Sequence, residues 1–580
     1  LHRAVLPATA AAAPIGIDVD DRHIRPLAAR DISGLAWLGD QLVVLDTLTG
    51  RMSLVDPTSD DTRVLNGEDA ATYVGATGLA VHDGWAWFTT AAGLCRAALD
   101  GPGGALGRAE VVVAVPAASA VAVVGATVYL VVGQDLHEIT EVRPGIGLGE
   151  QVRRTVRLHG VGPKGLAATG DHLWVSDQVE QTAYCVDRAS LGTVFSVVTP
   201  LEGPTAIAAR RDPGDTADTV HVAYYENEPY LKDCPWVEPS WQVRYRHRAL
   251  VHRLRYLADR AARRAWSTGH RIQMHYYVEV EPDDEVFADR DGLAAVEWRM
   301  SLPIDSPRQR MVSVAPIGLP FAIEHQADLT GQPQPVAVFR LPRVEPGTRV
   351  LLGWRATLEV FGIRHLLTPA DLEGAPGLDE QMAQRYLIDD EDLDLDSPEV
   401  GAATLAALGG ETNLLQQARR IRTHVYDLLE YEMGNADSPV GVMERGTGSC
   451  GEYVGTIMAL MRRAGLACRV AGRYKCPYHP WDRAPLYPDF NHVWVDLFLP
   501  GYGWVPVESN PDDVTPGGPY PDRFFMGLPW RHVEVGKDIS FERVTFDDGG
   551  RRRRIGARRL SRNHIRFDVV GEIAPVPAGS

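Results

Sequence analysis

Gly446-Thr447-Gly448-Ser449-Cys450-Gly451-Glu452-Tyr453 leads into Val454, Ile457, Met458, Met461 and Leu466, apolar residues at helical spacing. That stripe predicts a buried helix entered through a glycine-containing loop, with Cys450 at its start. A thiol there meets the positive end of the helix dipole and N–H groups without intrahelical partners, and both favour the thiolate. Upstream, Asn413 to Glu432 also reads as a helix.

The second informative stretch is Phe490-Asn491-His492-Val493-Trp494-Val495-Asp496-Leu497-Phe498-Leu499. Its alternation predicts a strand with His492, Trp494 and Asp496 on one face. Pro500-Gly501-Tyr502-Gly503 supplies turn chemistry, and Trp504 through Glu508 predicts a returning strand. A hairpin of this size can set Glu508 beside His492, although the register is not fixed by the residues alone. The set is then a thiol, a histidine to pair with it and a carboxylate to orient the imidazole.

Four motifs carry a resemblance: Gly448 to Tyr453, Met461 to Arg469, His492 to Asp496 and Gly503 to Glu508. Together they resemble the successive motifs of the transglutaminase-like superfamily, which includes peptide N-glycanases and microbial cysteine peptidases. The likeness spans about residues 271 to 548, with Tyr386-Leu387 and its acidic turn, and His532 to Asp538 near the end. It implies a papain-like α+β core with Cys450 as nucleophile, His492 as general base and acid, and Glu508 as orienting carboxylate. The family usually has aspartate where this chain has Glu508. The extra methylene displaces the carboxylate by about a bond length, ~1.5 Å. Either the backbone compensates or another acceptor, Asn510 or Asp496, orients the ring. The oxyanion hole is expected to use the Cys450 N–H, with Tyr431 as a candidate second donor.

Outward from this core, residues 16–232 repeat. A strand of small apolar residues and a β-branched or aromatic strand recur around Gly34, Gly78, Ala120, Gly165 and Ala206, at steps of 44, 42, 45 and 41 residues. Such a period resembles a β-propeller of about five blades, with residues 16–30 available to complete the last one; an irregular β-sandwich is the alternative. Residues 233–270 read as a linker with a basic amphipathic helix over 242–266. Residues 271–385 read as an antiparallel sandwich like the β domain preceding the core in many bacterial transglutaminase-like proteins. Residues 386–548 are the core and 549–580 an extension of strands, while residues 1–15 form an Ala-rich tail.

At 580 residues several cores are needed, consistent with this division. A net charge of −18 argues against nucleic acid, and no apolar run is long enough to span a membrane. Six scattered cysteines give neither a disulfide framework nor a zinc pattern and suit a reducing, cytoplasmic setting. The acidic run Asp389 to Asp396 lacks the sixth-position glycine and the terminal glutamate of an EF-hand loop, and reads as a turn entering a helix. No cofactor or metal is expected. The implied reaction is acyl transfer from an amide, peptide or small molecule, through a thioester, to water or to an amine acceptor. The rival is a catalytically inactive scaffold. On either reading the repeats are expected to bind a protein or peptide partner.

Overall fold

The structure, a computed structural model, describes residues 13–577 except 21, 100–103, 216, 232–242, 330, 390–391, 434–436, 477–490 and 511–515. The chain forms two compact units, one of residues 20–260 with 521–523 and one of the remainder.

The first unit consists of five small antiparallel sheets, four of four strands and a last one of three. Each of the five predicted repeats is one sheet. The leading strands Ile32–Leu38, Thr77–His82, Ala118–Val124 and Pro163–Ala168 each begin with an irregularity in pairing, at Ser33, Ser119 and Lys164 just before the small residue and at Gly78 itself in the second strand. Each leading strand packs beside the next, and Ala206–Arg210 packs beside Ile32–Leu38. This close approach explains the small residues. A Cβ on Gly34 would lie 2.7 Å from the Leu79 Cβ, and one on Gly78 (φ +58°) would lie 2.7 Å from the Ala120 Cα.

Two expectations fail here. The helix over 242–266 is absent: Val243–Leu254 is a strand paired with Thr219–Leu231, and the part of the expectation on residues 233–242 lies outside the described residues. Arginine recurs with period two, and Arg246 and Arg248 stand opposite Glu228 and Glu226. Arg248 bonds Glu228 at 2.9 Å and also Glu226, and Arg246 bonds Glu228 at 2.9 Å. Cross-strand ion pairs decided the outcome against the three- and four-residue apolar spacing. Residues 16–30 do not supply a full outer strand either. Ile24 bridges Val251, whereas Ile15–Asp18 pairs with Ser561–Val576 in the second unit.

In the second unit, β1 (Arg264–Val280), β2 (Gln309–Gly318) and β3 (Val350–His365) belong to one sheet, ordered Ile15–Asp18, Ser561–Val576, β1, β3, β2. A second sheet runs Ala322–Ala327, Pro333–Val344, Leu293–Ser301, Glu542–Asp548, Arg551–Ile555. Both contribute to one core, including Met274, Trp298, Phe339, Trp354 and Phe567. The sandwich expected over 271–385 is therefore completed by strands from both ends of the chain, and the extension after residue 549 is part of it.

The α+β core contains α1 (Leu414–Leu428) and α2 (Cys450–Arg463). Its sheet joins β4 (Cys468–Lys475), β5 (Asn491–Leu499), β6 (Gly503–Val507) and β7 (His532–Glu534) in the order β6-β5-β4-β7. Ile457, Met458 and Met461 of α2 share a core with Val495, Leu497, Val505 and Val507. The opposite face of β5 therefore carries His492, Trp494 and Asp496, as the alternation predicts. In the acidic run, Asp389 accepts from the Leu393 and Leu395 N–H groups at 2.6 and 3.1 Å, and Ser397 caps helix Pro398–Leu408. The described residues of the run form a turn entering a helix.

Candidate active site

Helix Pro439–Arg445 stops at Gly446 (φ +74°), and the chain turns through Thr447 and Gly448 into Ser449, the residue that caps α2. Glu452, one turn in, accepts from the Ser449 N–H at 2.7 Å and is held by Arg445 at 2.7 Å. This carboxylate fixes the helix start from which Cys450 projects. Behind Cys450, Tyr453, Val454, Ile457, Met458 and Met461 are all buried, so the sulfur sits on a rigid element.

The hairpin brings His492 and Glu508 together. Val495 pairs with Val507, and Glu508 directly follows β6. His492 Nε2 lies 2.7 Å from Glu508 Oε1, and the same carboxylate oxygen accepts from the Ser509 N–H at 2.9 Å. The other oxygen, Oε2, lies 2.5 Å from His532 Nε2, with Lys475 Nζ at 4.0 Å. On the backbone side, Arg422 and Tyr426 of α1 donate to the Glu508 carbonyl at 3.3 and 3.4 Å. The longer side chain of glutamate thus reaches two imidazoles at once, and neither alternative acceptor takes His492. Asp496 faces Lys537 at 2.7 Å and Arg469 at 3.5 Å, and Asn510 accepts from Ser509 Oγ at 2.9 Å. Tyr431 is half exposed, and its hydroxyl lies 3.5 Å from Met433 Sδ.

The electrostatics follow from these contacts. Burial pushes the Cys450 thiol up, but its hydrogen bond to His492, the His492 charge and the Val493 backbone N–H outweigh that, leaving it below an ordinary thiol. For His492, burial pushes down, while the Glu508 charge and the hydrogen bonds to Cys450 and Glu508 prevail and raise it above an ordinary imidazole. Glu508 is held well below the carboxylate range: burial opposes this, and His492, Lys475 and His532 together overcome it. His532 is driven well below the histidine range by burial, so it stays neutral and donates to Glu508. With Nε2 committed to the carboxylate, His492 has Nδ1 left for the thiol.

Cys450 differs in kind from the other described cysteines. Cys95, Cys185, Cys468 and Cys476 are buried, and burial pushes Cys185 up to about 12 and raises Cys95 and Cys476. Cys234 lies outside the described residues. Sequence reasoning assigned no role to His532 or Lys475. His532 opens the quoted His532 to Asp538 motif, but nothing local links it to a carboxylate 24 residues earlier. His492, Glu508 and His532 also offer three donor atoms within 4.8 Å of one another. As arranged, both imidazoles donate to the carboxylate, so the cluster works as a hydrogen-bonded relay, and a metal would have to displace those two protons.

The description "Transglutaminase-like superfamily" matches residues 402–509, a span containing Cys450, His492 and Glu508. Residues 402–509 are a transglutaminase-like domain. No curated protein matches the chain. Among solved structures, a protein assigned as a cysteine protease in Cytophaga hutchinsonii is 13% identical, over 53% of this chain and 93% of its own, at a TM-score of 0.37. A glutaminyl cyclase from Myxococcus xanthus is 9% identical, over 42% and 99%, at 0.28. An aldose sugar dehydrogenase from Streptomyces coelicolor is 12% identical, over 42% and 100%, at 0.25. These scores are too low to carry one fold onto another. The transglutaminase-like domain ends one residue after Glu508 and thus excludes His532. Among the described residues, no helix is long and apolar enough to cross a membrane.

Proposed function

We propose that the transglutaminase-like domain is a cysteine acyl-transfer centre acting on amides, with Cys450 as nucleophile, His492 as proton carrier and Glu508 as the group that orients it. The observation that supports this most is the unbroken line from a helix-terminal thiol through His492 to a buried, ionised Glu508. The Cys450 thiolate attacks the carbonyl carbon, and the resulting oxyanion is placed near the first-turn N–H groups of α2, the Cys450 N–H among them. The C–N bond then breaks, and the His492 imidazolium gives its proton to the departing amine, leaving a thioester. Water or a second amine attacks the thioester while neutral His492 takes the incoming proton. The acyl group leaves as an acid or a new amide, and Cys450 is restored. Glu508 stabilises the imidazolium at each stage without itself taking the proton.

Peptides and amide-bearing small molecules are the substrate class in this reading, with amines as possible acceptors. The five-sheet unit is read as a five-bladed propeller that holds a protein or peptide partner, because its leading strands pack in cyclic order around small residues. The test is iodoacetamide labelling of each cysteine against pH, by peptide mapping, in the parent and in His492→Ala. Cys450 is expected to label fastest, with an acid-shifted profile that the substitution removes. Equal labelling of Cys450 in both proteins would replace the catalytic reading with that of an inactive scaffold.

A further inference from the structure

A chamber lies in the same unit as Cys450, on the Asp496 side of β5. It has a volume of about 860 Å³, and its walls come from β1 and β3, the 304–310 segment and the hairpin of β5 and β6. That size is within the range of small-molecule sites. Ile304, Ile363, Phe498, Tyr502 and Trp504 give it an apolar lining.

The cations around it divide into two kinds. Arg308 is saturated: it donates to the carbonyls of Phe361, His532 and Pro529 at 3.2, 2.6 and 2.7 Å and pairs with Glu534. Arg310 is paired with Glu359 at 2.6 Å, Arg469 with Asp538 at 2.7 Å, and Lys537 with Asp496 at 2.7 Å. These hold the walls together. Arg264 is different. It is only 7% exposed, its Nε has no hydrogen-bond partner, and among the described residues no carboxylate pairs with it. Its guanidinium lies over the Tyr502 ring at 5.5 Å, and Tyr502 is also its hydrogen-bonding contact. Beside it, His365 Nδ1 lies 3.0 Å from the Tyr502 hydroxyl. Burial and then the charge of Arg264 keep His365 neutral. A buried guanidinium without a counter-ion is costly, and buried polar groups normally find partners. Two further acids of the lining are engaged by backbone and side-chain N–H groups. Asp305 is exposed and accepts from the Met311 N–H, and Asp328 accepts from the Gln332 N–H at 2.8 Å and from Gln334.

We propose that this chamber binds a small organic anion, its carboxylate or phosphate held by the Arg264 guanidinium and its apolar body against Tyr502, Ile363 and Trp504. The site is separate from the Cys450 centre and does not depend on the acyl-transfer reading.

Isothermal titration of the full chain tests this with benzoate, inorganic phosphate and the neutral analogue benzyl alcohol. Benzoate or phosphate is expected to bind saturably in the millimolar range or tighter, and benzyl alcohol at least about tenfold more weakly, the loss of one charge-assisted pair. Tighter benzoate assigns a carboxylate ligand, and tighter phosphate a phosphorylated one. Arg264→Gln is expected to weaken the bound anion about tenfold and Arg264→Lys less. Prior alkylation of Cys450 should leave binding unchanged. No saturable anion binding to the parent chain, equal binding of benzyl alcohol, or indifference to Arg264→Gln would overturn the proposal. So would loss of binding on alkylation, which would place the anion at the Cys450 centre. The parent titrations stand even if Arg264→Gln fails to fold.

Discussion

Each unit buries a carboxylate against a histidine, and the two clusters end differently. In the five-sheet unit, Asp218 accepts from Thr169 at 3.1 Å, Trp174 at 2.9 Å and Arg211 at 2.8 Å, with His172 Nδ1 at 3.2 Å. In the transglutaminase-like domain, Glu508 accepts from His492, His532 and Ser509. Both carboxylates are held below the usual range although burial works the other way. The difference lies beyond the histidine. His172 Nδ1 has Asp218 and Arg211 around it, and the contact stops there. His492 also interacts with the Cys450 thiol at a helix start. A carboxylate–imidazole pair is a structural clip until the other nitrogen meets something reactive.

The sharpest break in the comparison is at His492. His492→Ala should slow alkylation of Cys450 at neutral pH by about 10² or more, through loss of the thiolate partner, as read by time-resolved peptide mapping. Next, Glu508→Gln keeps the shape and removes the charge. The expected drop in alkylation and in any amide turnover is on the order of 10²-fold, with the contacts to His492 and His532 rearranged. If Glu508→Gln reacts like the parent, Glu508 is a clip like Asp218.

The pH profile is the third test. Cys450 titrates below an ordinary thiol and His492 above an ordinary imidazole. The acid limb of alkylation should therefore lie below the range of a free cysteine, and the alkaline limb of turnover above pH ~6.5. A smaller effect is expected at His532, which does not touch the thiol. His532→Asn should lower the alkylation rate by about tenfold and shift the acid limb toward that of a free thiol. A change in melting temperature with an unmoved pH profile would make His532 purely structural. Smallest for chemistry is Asp218→Asn: Cys450 alkylation should not change, while stability falls by about 1–3 kcal/mol from the weakened buried network. Because Asp218 and Glu508 are both depressed, their contributions are present above the ordinary carboxylate pKa. They are lost as pH falls through the folded values, so the stability gap between the parent and Asp218→Asn, followed by circular dichroism, should narrow as pH falls through that range, and acid unfolding should begin at higher pH in the variant than in the parent.

Local patterns revealed those elements whose reasons are local. The α2 stripe behind Cys450, the β5 alternation that puts His492 and Asp496 on one face, and the small residues of the five leading strands each follow from a short period in the chain. The 243–254 strand is not legible locally because its decisive partners, Glu226 and Glu228, lie about twenty residues away. The same distance hid the sandwich's outer strands, since Ser561–Val576 pairs with β1 almost three hundred residues earlier.

What the sequence determined by itself was therefore the identity of the proposed reacting groups: Cys450, His492 and Glu508 stand in motifs whose residue types already imply thiol chemistry. Tertiary structure alone decided which carboxylate meets the imidazole, that His532 and Lys475 share it, and that Arg264 beside a chamber finds no counter-ion among the described residues. The reason is physical. A motif fixes chemistry and local geometry, but charge pairing depends on a few ångströms of separation between segments that only folding brings together.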